Sequence, residues 1–102
     1  MTAETEELNN NFKALFFGPF WAITKKKEIH YSLKGISHTI HQLIKKIIKD
    51  FPLLDEYFFE EDNIADNTSI IINGEDIRGG VGLDTIISPS DRITFFKAAG
   101  GG

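Results

Sequence analysis

Apolar positions in this chain recur first at the spacing of strands, then at that of a helix, then at that of strands again. From Phe12 to Phe17 the run FKALFF alternates imperfectly and is rich in aromatics, which predicts a strand covered on most of both faces. Gly18-Pro19 breaks it. Phe20, Trp21, Ala22 and Ile23 lead into Lys25-Lys26-Lys27, and Glu28 to Leu33 then alternates cleanly with Ile29, Tyr31 and Leu33 on one face. The two runs predict a hairpin.

Beyond Ile40 the period changes. Ile40, Leu43, Ile44, Ile47, Ile48 and Phe51 form one apolar stripe that only a helix gathers on a single face. Ser37 or Thr39 can cap its start, Thr39 and Gln42 standing at capping-box spacing. Lysines 45, 46 and 49 lie toward its C-terminal end, where the helix dipole favours positive charge, and Pro52 stops it. Leu53 to Asn67 mixes Leu53, Leu54, Tyr57, Phe58 and Phe59 with acidic residues, and predicts a short irregular or helical excursion packed by its aromatics. Ser69 to Ile72 reads as a third strand, Asn73-Gly74 as a hairpin turn whose residues tolerate positive φ, and Glu75 to Arg78 as its return. Glycines 79, 80 and 82 and the Ser88 to Asp91 cluster mark loops around Leu83 to Ile87. Arg92 to Phe96 is the final strand, with Ile93 and Phe95 sharing a face. Two strand pairs flanking one main helix make an α+β pattern, a mixed four- to five-stranded sheet with the helix on one face.

At 102 residues the chain has room for one domain, and folding buries roughly 65% of the surface that the unfolded chain would expose. The expected division is a polar leader over residues 1–11, a folded domain over 12–96 and a glycine-rich tail over 97–102. Residues 1–11 carry glutamates and no basic residue, unlike a secretory signal, and no apolar run approaches the roughly 20 residues of a membrane span. A cytoplasmic protein, monomeric and apart from membranes, is the expectation. With no cysteine, the chain supplies neither a disulfide nor a thiol nucleophile. A net charge of -4 argues against nucleic-acid binding, and the bland reading of the Lys25 to Lys27 triplet, a solvated loop, outweighs an anion site.

The chemistry lies at the end. After Phe96 the chain runs Lys97-Ala98-Ala99-Gly100-Gly101-Gly102, a stretch able to reach roughly 20 Å when extended at about 3.3–3.6 Å per residue. Glycine removes every Cβ that would collide with a narrow channel, so a terminal carboxylate can enter an active site on another protein. A terminal carboxylate ionises near pH 3.3–3.7 and is a poor electrophile at neutral pH. Transfer of an adenylyl group from ATP makes it a mixed anhydride, which a persulfide opens to a thiocarboxylate or a thiol to a thioester. On tail composition alone, a frayed end or an expression scar is the stronger reading.

The full set of signals is more specific. Lys13-Ala14-Leu15-Phe16-Phe17, the Ile40 to Phe51 helix ending at Pro52, and Ile71-Ile72-Asn73-Gly74-Glu75-Asp76-Ile77 come first. Gly82-Leu83-Asp84-Thr85, Ser90-Asp91-Arg92-Ile93-Thr94-Phe95-Phe96 and Gly101-Gly102 follow. In this order the chain resembles the MoaD/ThiS family of ubiquitin-like sulfur carriers, and the archaeal MoaD-like small modifier proteins, over residues 12–102. The resemblance implies a β-grasp fold with first and last strands side by side. It implies Gly101 and Gly102 as the activated end, with ATP used by a MoeB- or ubiquitin-activating-type enzyme and no cofactor bound to the chain; the candidate contacts with that partner are Phe96, on the exposed part of the sheet, Lys97 and Gly100. The products would be a thiocarboxylate for molybdopterin, thiamine or tRNA thiolation, or a bond to protein lysines. Lys97-Ala98-Ala99-Gly100 in place of the prolines usual in molybdopterin synthase small subunits, and the acidic insert of Glu56 to Asn67, are departures from the family pattern.

The rival readings are a fixed small subunit of molybdopterin synthase, bound to its large subunit, and a non-covalent interaction module with an idle tail. No nucleophile elbow, triad-like set or phosphate loop is apparent, so the chain reads as a substrate of an enzyme and not as an enzyme. His38 and His41, three apart in the helical segment, are expected as surface or capping residues in preference to metal ligands. The acidic run from Asp55 to Asp62 lacks the spacing and glycine of a calcium loop and is expected as solvated surface.

Overall fold

The computed structural model describes residues 9–35 and 37–98 of the chain. The first strand, β1 (Asn9–Phe16), starts before the expected boundary, so Asn9, Asn10 and Asn11 belong to the sheet and not to a leader. Phe12, Ala14 and Phe16 are buried on its inner face. Helix α1 (Pro19–Thr24) then occupies what the sequence suggested was a simple lead-in. Pro19 sits in its first turn, where a missing N–H costs nothing, and Phe20 and Thr24, one turn apart, are its buried residues. Lys25, at φ 65, ends the helix in the left-handed region with its N–H donated to the Trp21 carbonyl. Strand β2 (Glu28–Lys34) pairs antiparallel with β1, from Asn9 opposite Lys34 to Leu15 opposite Glu28. The expected pairing is present, joined by a helix in place of a tight turn.

Strand β3 (His38–Thr39) leads into α2 (Ile40–Asp50), whose capping box is complete. The Gln42 N–H donates to Thr39 Oγ1 at 3.2 Å, and the Thr39 N–H donates to Gln42 Oε1 at 2.8 Å. Ile40, Leu43, Ile44 and Ile47 are fully buried, each contributing about 1.5–3 kcal/mol of apolar burial. Lys45, Lys46 and Lys49 occupy the solvated face. A 3-10 turn (Pro52–Leu54), helix α3 (Asp55–Phe58) and a small hairpin of β4 (Phe59–Glu60) and β5 (Asn63–Ile64) make up the acidic excursion. Leu54 and Phe58 anchor it in the core, while Leu53 is exposed.

Strand β6 (Thr68–Ile72) turns through Asn73 (φ 54) and Gly74 (φ 88) into β7 (Glu75–Asp76), as the asparagine-glycine pair predicts. Two 3-10 turns (Ile77–Gly79, Gly82–Asp84) lead to β8 (Ile86–Ile87), which pairs with β3. Strand β9 (Arg92–Lys97) completes a five-stranded sheet of order β2-β1-β9-β6-β7. β9 is parallel to β1 and antiparallel to β6, so the sheet is mixed and its last strand is central. α2 packs its apolar stripe into one core with Phe12, Phe16, Ile70, Ile93 and Phe95. This is the β-grasp arrangement, one main helix held against one face of the sheet.

The histidines depart from expectation. His38 lies before the helix, in β3, and is buried edge-on against Phe12 at 5.7 Å between ring centroids. His41 is on α2, against Phe59 at 5.8 Å. They serve different packing clusters, because β3 pairs with β8 and turns His38 inward.

Candidate functional site

The end of the sheet at which β9 finishes is assembled by four strands. β1 and β9 both run toward it, β2 starts from it, and β6 starts from it on the other side. In β9, Ile93 and Phe95 are fully buried, which turns Arg92, Thr94 and Phe96 onto the open face. There Thr94 is flanked by Leu15 of β1 and Ile71 of β6, and Phe96 by Ser69. The Phe17 N–H donates to the Phe95 carbonyl at 3.0 Å, continuing the parallel ladder and setting Phe17 beside Phe96. Both rings are 42% exposed. Apolar rings on an open sheet face are what a partner protein covers most favourably.

Lys97 closes the strand opposite Thr68, and its Nζ lies 3.3 Å from Thr68 Oγ1, which donates in turn to the Tyr57 carbonyl. The Ala98 N–H donates to the Asn67 carbonyl at 2.9 Å, so the ladder continues one residue past the strand. Residues placed by the sequence in the tail from Lys97 onward are therefore held to the sheet as far as Ala98. On the other side Gly18, at φ 62, lies against Lys97, and a Cβ on it would make ordinary contact with the Lys97 carbonyl oxygen at 3.5 Å. Only glycine takes that conformation without strain.

Of the expected contacts, Phe96 and Lys97 lie together at this end; Gly100, Gly101 and Gly102 lie outside the described residues. Phe17, Gly18 and Trp21 complete the neighbourhood without having been singled out. The alternation Phe12, Ala14, Phe16 carried the signal for Phe17, since the next residue must point the opposite way. Trp21, 47% exposed on α1, carried none, because six helical residues are too few to establish a face.

Elsewhere several polar groups are committed to structure. An open cleft of about 1010 Å³ lies at the opposite pole among Ile72, Asp76, Val81, Ile86 and Asp91. There Asp91 accepts from the Ser88 N–H and Asn73 Nδ2, and Asp76 caps the Arg78 N–H. Among the described residues no three His, Asp or Glu side chains converge to hold a metal ion, and no helix is long and apolar enough to cross a membrane.

The family model described as the ThiS family matches residues 14–102. No functionally curated protein matches the sequence. Among solved structures, small archaeal modifier protein 1 from Methanosarcina acetivorans superposes with a TM-score of 0.78 at 22% identity, covering 93% of this chain and 99% of that one. The crystal structure of its namesake from Haloferax volcanii gives a TM-score of 0.75 at 16% identity, over 91% and 100% of the two chains. A chain of the BexX/CysO complex from Amycolatopsis orientalis gives 0.71 at 18% identity, over 89% and 99%. At these identities the likeness is one of fold.

Proposed function

The chain belongs to the ThiS family, and from that premise we propose that it carries its reactive group at Gly102, whose carboxylate an ATP-consuming enzyme adenylates. The family is one of small ubiquitin-fold carriers and modifiers and not of catalysts. In the proposed reaction the Gly102 carboxylate attacks the α-phosphorus of ATP and displaces pyrophosphate. The acyl adenylate is then opened by a nucleophile, with AMP leaving. A persulfide sulfur gives an acyl disulfide that a second thiol reduces to the thiocarboxylate, and a lysine amine gives an amide. The chain contributes the acyl group; a MoeB- or ubiquitin-activating-type partner contributes the site and ATP.

The observation that carries this reading is the placement of β9. A central strand clamped on both sides delivers Lys97 and Ala98 to the sheet end, beside the exposed rings of Phe17 and Phe96. In the sequence Ala99, Gly100, Gly101 and Gly102 follow, with no side chain larger than a methyl group. Four extended residues span about 14 Å at 3.3–3.6 Å each, enough to enter a channel while the folded domain stays outside it. The open sheet face with Phe17 and Phe96 is the docking surface in this scheme, Lys97 and Gly100 meeting the channel mouth.

Pyrophosphate exchange into ATP, with the ubiquitin-activating-type enzyme of the same organism, tests it. Deleting Gly101 and Gly102 abolishes exchange and leaves the circular dichroism spectrum and melting temperature unchanged. Exchange that survives the deletion would favour a module that binds through its sheet and makes no use of its tail.

A further inference from the structure

The lysine triplet has an ordered place in this geometry. Lys25 donates its N–H to the Trp21 carbonyl, Lys26 exchanges hydrogen bonds at both its N–H and carbonyl with Thr24 Oγ1, and the Lys27 carbonyl accepts from Phe16. All three side chains are exposed, and Lys27 Nζ sits 5.7 Å from the centroid of the Trp21 ring. The neighbouring carboxylate, Glu28, is turned to His30 at 2.7 Å. β1 and β9 end on this side, so the triplet and Trp21 flank the point where the chain leaves the sheet, next to Gly18 and Lys97.

The opposite flank carries the other sign. The Asn67 carbonyl that pairs with Ala98 closes the excursion that exposes Asp55, Glu56, Glu60, Glu61, Asp62 and Asp66. The chain therefore leaves between a basic shoulder and an acidic one.

We propose that α1 with Lys25, Lys26 and Lys27 is a docking shoulder for an acidic protein surface beside the tail channel of the activating enzyme, with Trp21 seated against its apolar rim. This rests on the carrier reading above. A partner that takes the tail must cover both shoulders, and their opposite charges admit it in one orientation only. A protein surface fits better than a polyanion: the chain's net charge is -4, and its carboxylates face any nucleic acid or anionic membrane that spans the exit.

Steady-state adenylation by the same activating enzyme tests the shoulder. Lys25→Glu/Lys26→Glu/Lys27→Glu raises KM about tenfold or more with kcat unchanged, and flattens the fall of kcat/KM with added salt. The neutral pair Lys26→Gln/Lys27→Gln, which spares the left-handed Lys25, gives an intermediate rise, and arginine at all three positions restores most of the affinity. Trp21→Ala raises KM without altering the salt dependence. A glutamate variant, folded by circular dichroism, that keeps wild-type KM and salt dependence overturns the proposal. So does tRNA or phosphatidylserine-vesicle binding that vanishes in that variant while KM stands still, since the lysines then serve a polyanion. A wild-type chain that is not adenylated at all defeats the carrier reading, and this surface with it; that outcome differs from a wild type adenylated no better than its glutamate variant.

Discussion

Among the described residues, two buried polar atoms have no hydrogen-bond partner, Tyr31 Oη and His38 Nε2. Such atoms cost stability because they give up water and gain nothing in exchange. For Tyr31, burial and secondarily the Asp50 carboxylate push the phenol from 10.0 up to about 12. The folded protein thus keeps the proton where the unfolded chain has lost it, so stability is intact below pH 10 and falls as pH rises toward 12. Urea unfolding from pH 9 upward should show a loss of roughly 2–3 kcal/mol across that window, absent in Tyr31→Phe. At neutral pH the same variant should match the wild type or exceed it by about 1 kcal/mol. Gly18 matters for its backbone: Gly18→Ala places a Cβ at φ 62, where a side chain is strained although space is open to it, and should cost about 1–2 kcal/mol in thermal unfolding. A neutral result would mean that the backbone at Gly18 relaxes out of positive φ at no cost.

The elements differ in how far their own sequence determines them. α2 is set by local signals that agree: a complete capping box, an unbroken apolar stripe and a proline stop. Thr39→Ala should cost about 1 kcal/mol, read from the denaturation midpoint. The excursion after it is held by Leu54 and Phe58 in the core and, in addition, by one distant residue. Arg78 donates from its guanidinium to the carbonyls of Ile64, Ala65 and Thr68, so Arg78→Ala should cost about 1.5–3 kcal/mol and loosen β5 and β6 in hydrogen exchange. If protection there were unchanged, the aromatics alone would be holding the segment. This contrast explains what was legible in the sequence. α2, the Asn73-Gly74 turn and the alternation of β2 and β9 are written in short-range patterns, and each appears where the pattern puts it. α1 was missed because six residues show no period, and β4 and β5 because two-residue strands show no alternation. His38 was misplaced because its burial comes from β8, far along the chain. At the candidate site Phe96 and Lys97 were legible from the end of the last strand, whereas Gly18 and Trp21 join them only through the fold.

At the scale of the whole molecule, the β-grasp sheet places its last strand at the centre. The first strand lies alongside the last, and the last is locked between β1 and β6 up to the point where side chains shrink to methyl groups and hydrogens. In the proposed scheme the reactive group, Gly102, stands four residues along the sequence from Ala98, whose amide is paired to the sheet. The most direct test of that account is mass spectrometry of the chain recovered from its native host. Trypsin cutting after Lys97 leaves the peptide Ala98 to Gly102. The account predicts that this peptide is found with sulfur in place of one carboxylate oxygen, or joined through Gly102 to lysines of other proteins. A peptide that keeps its plain carboxylate while the activating enzyme and the sulfur supply are both running would contradict it.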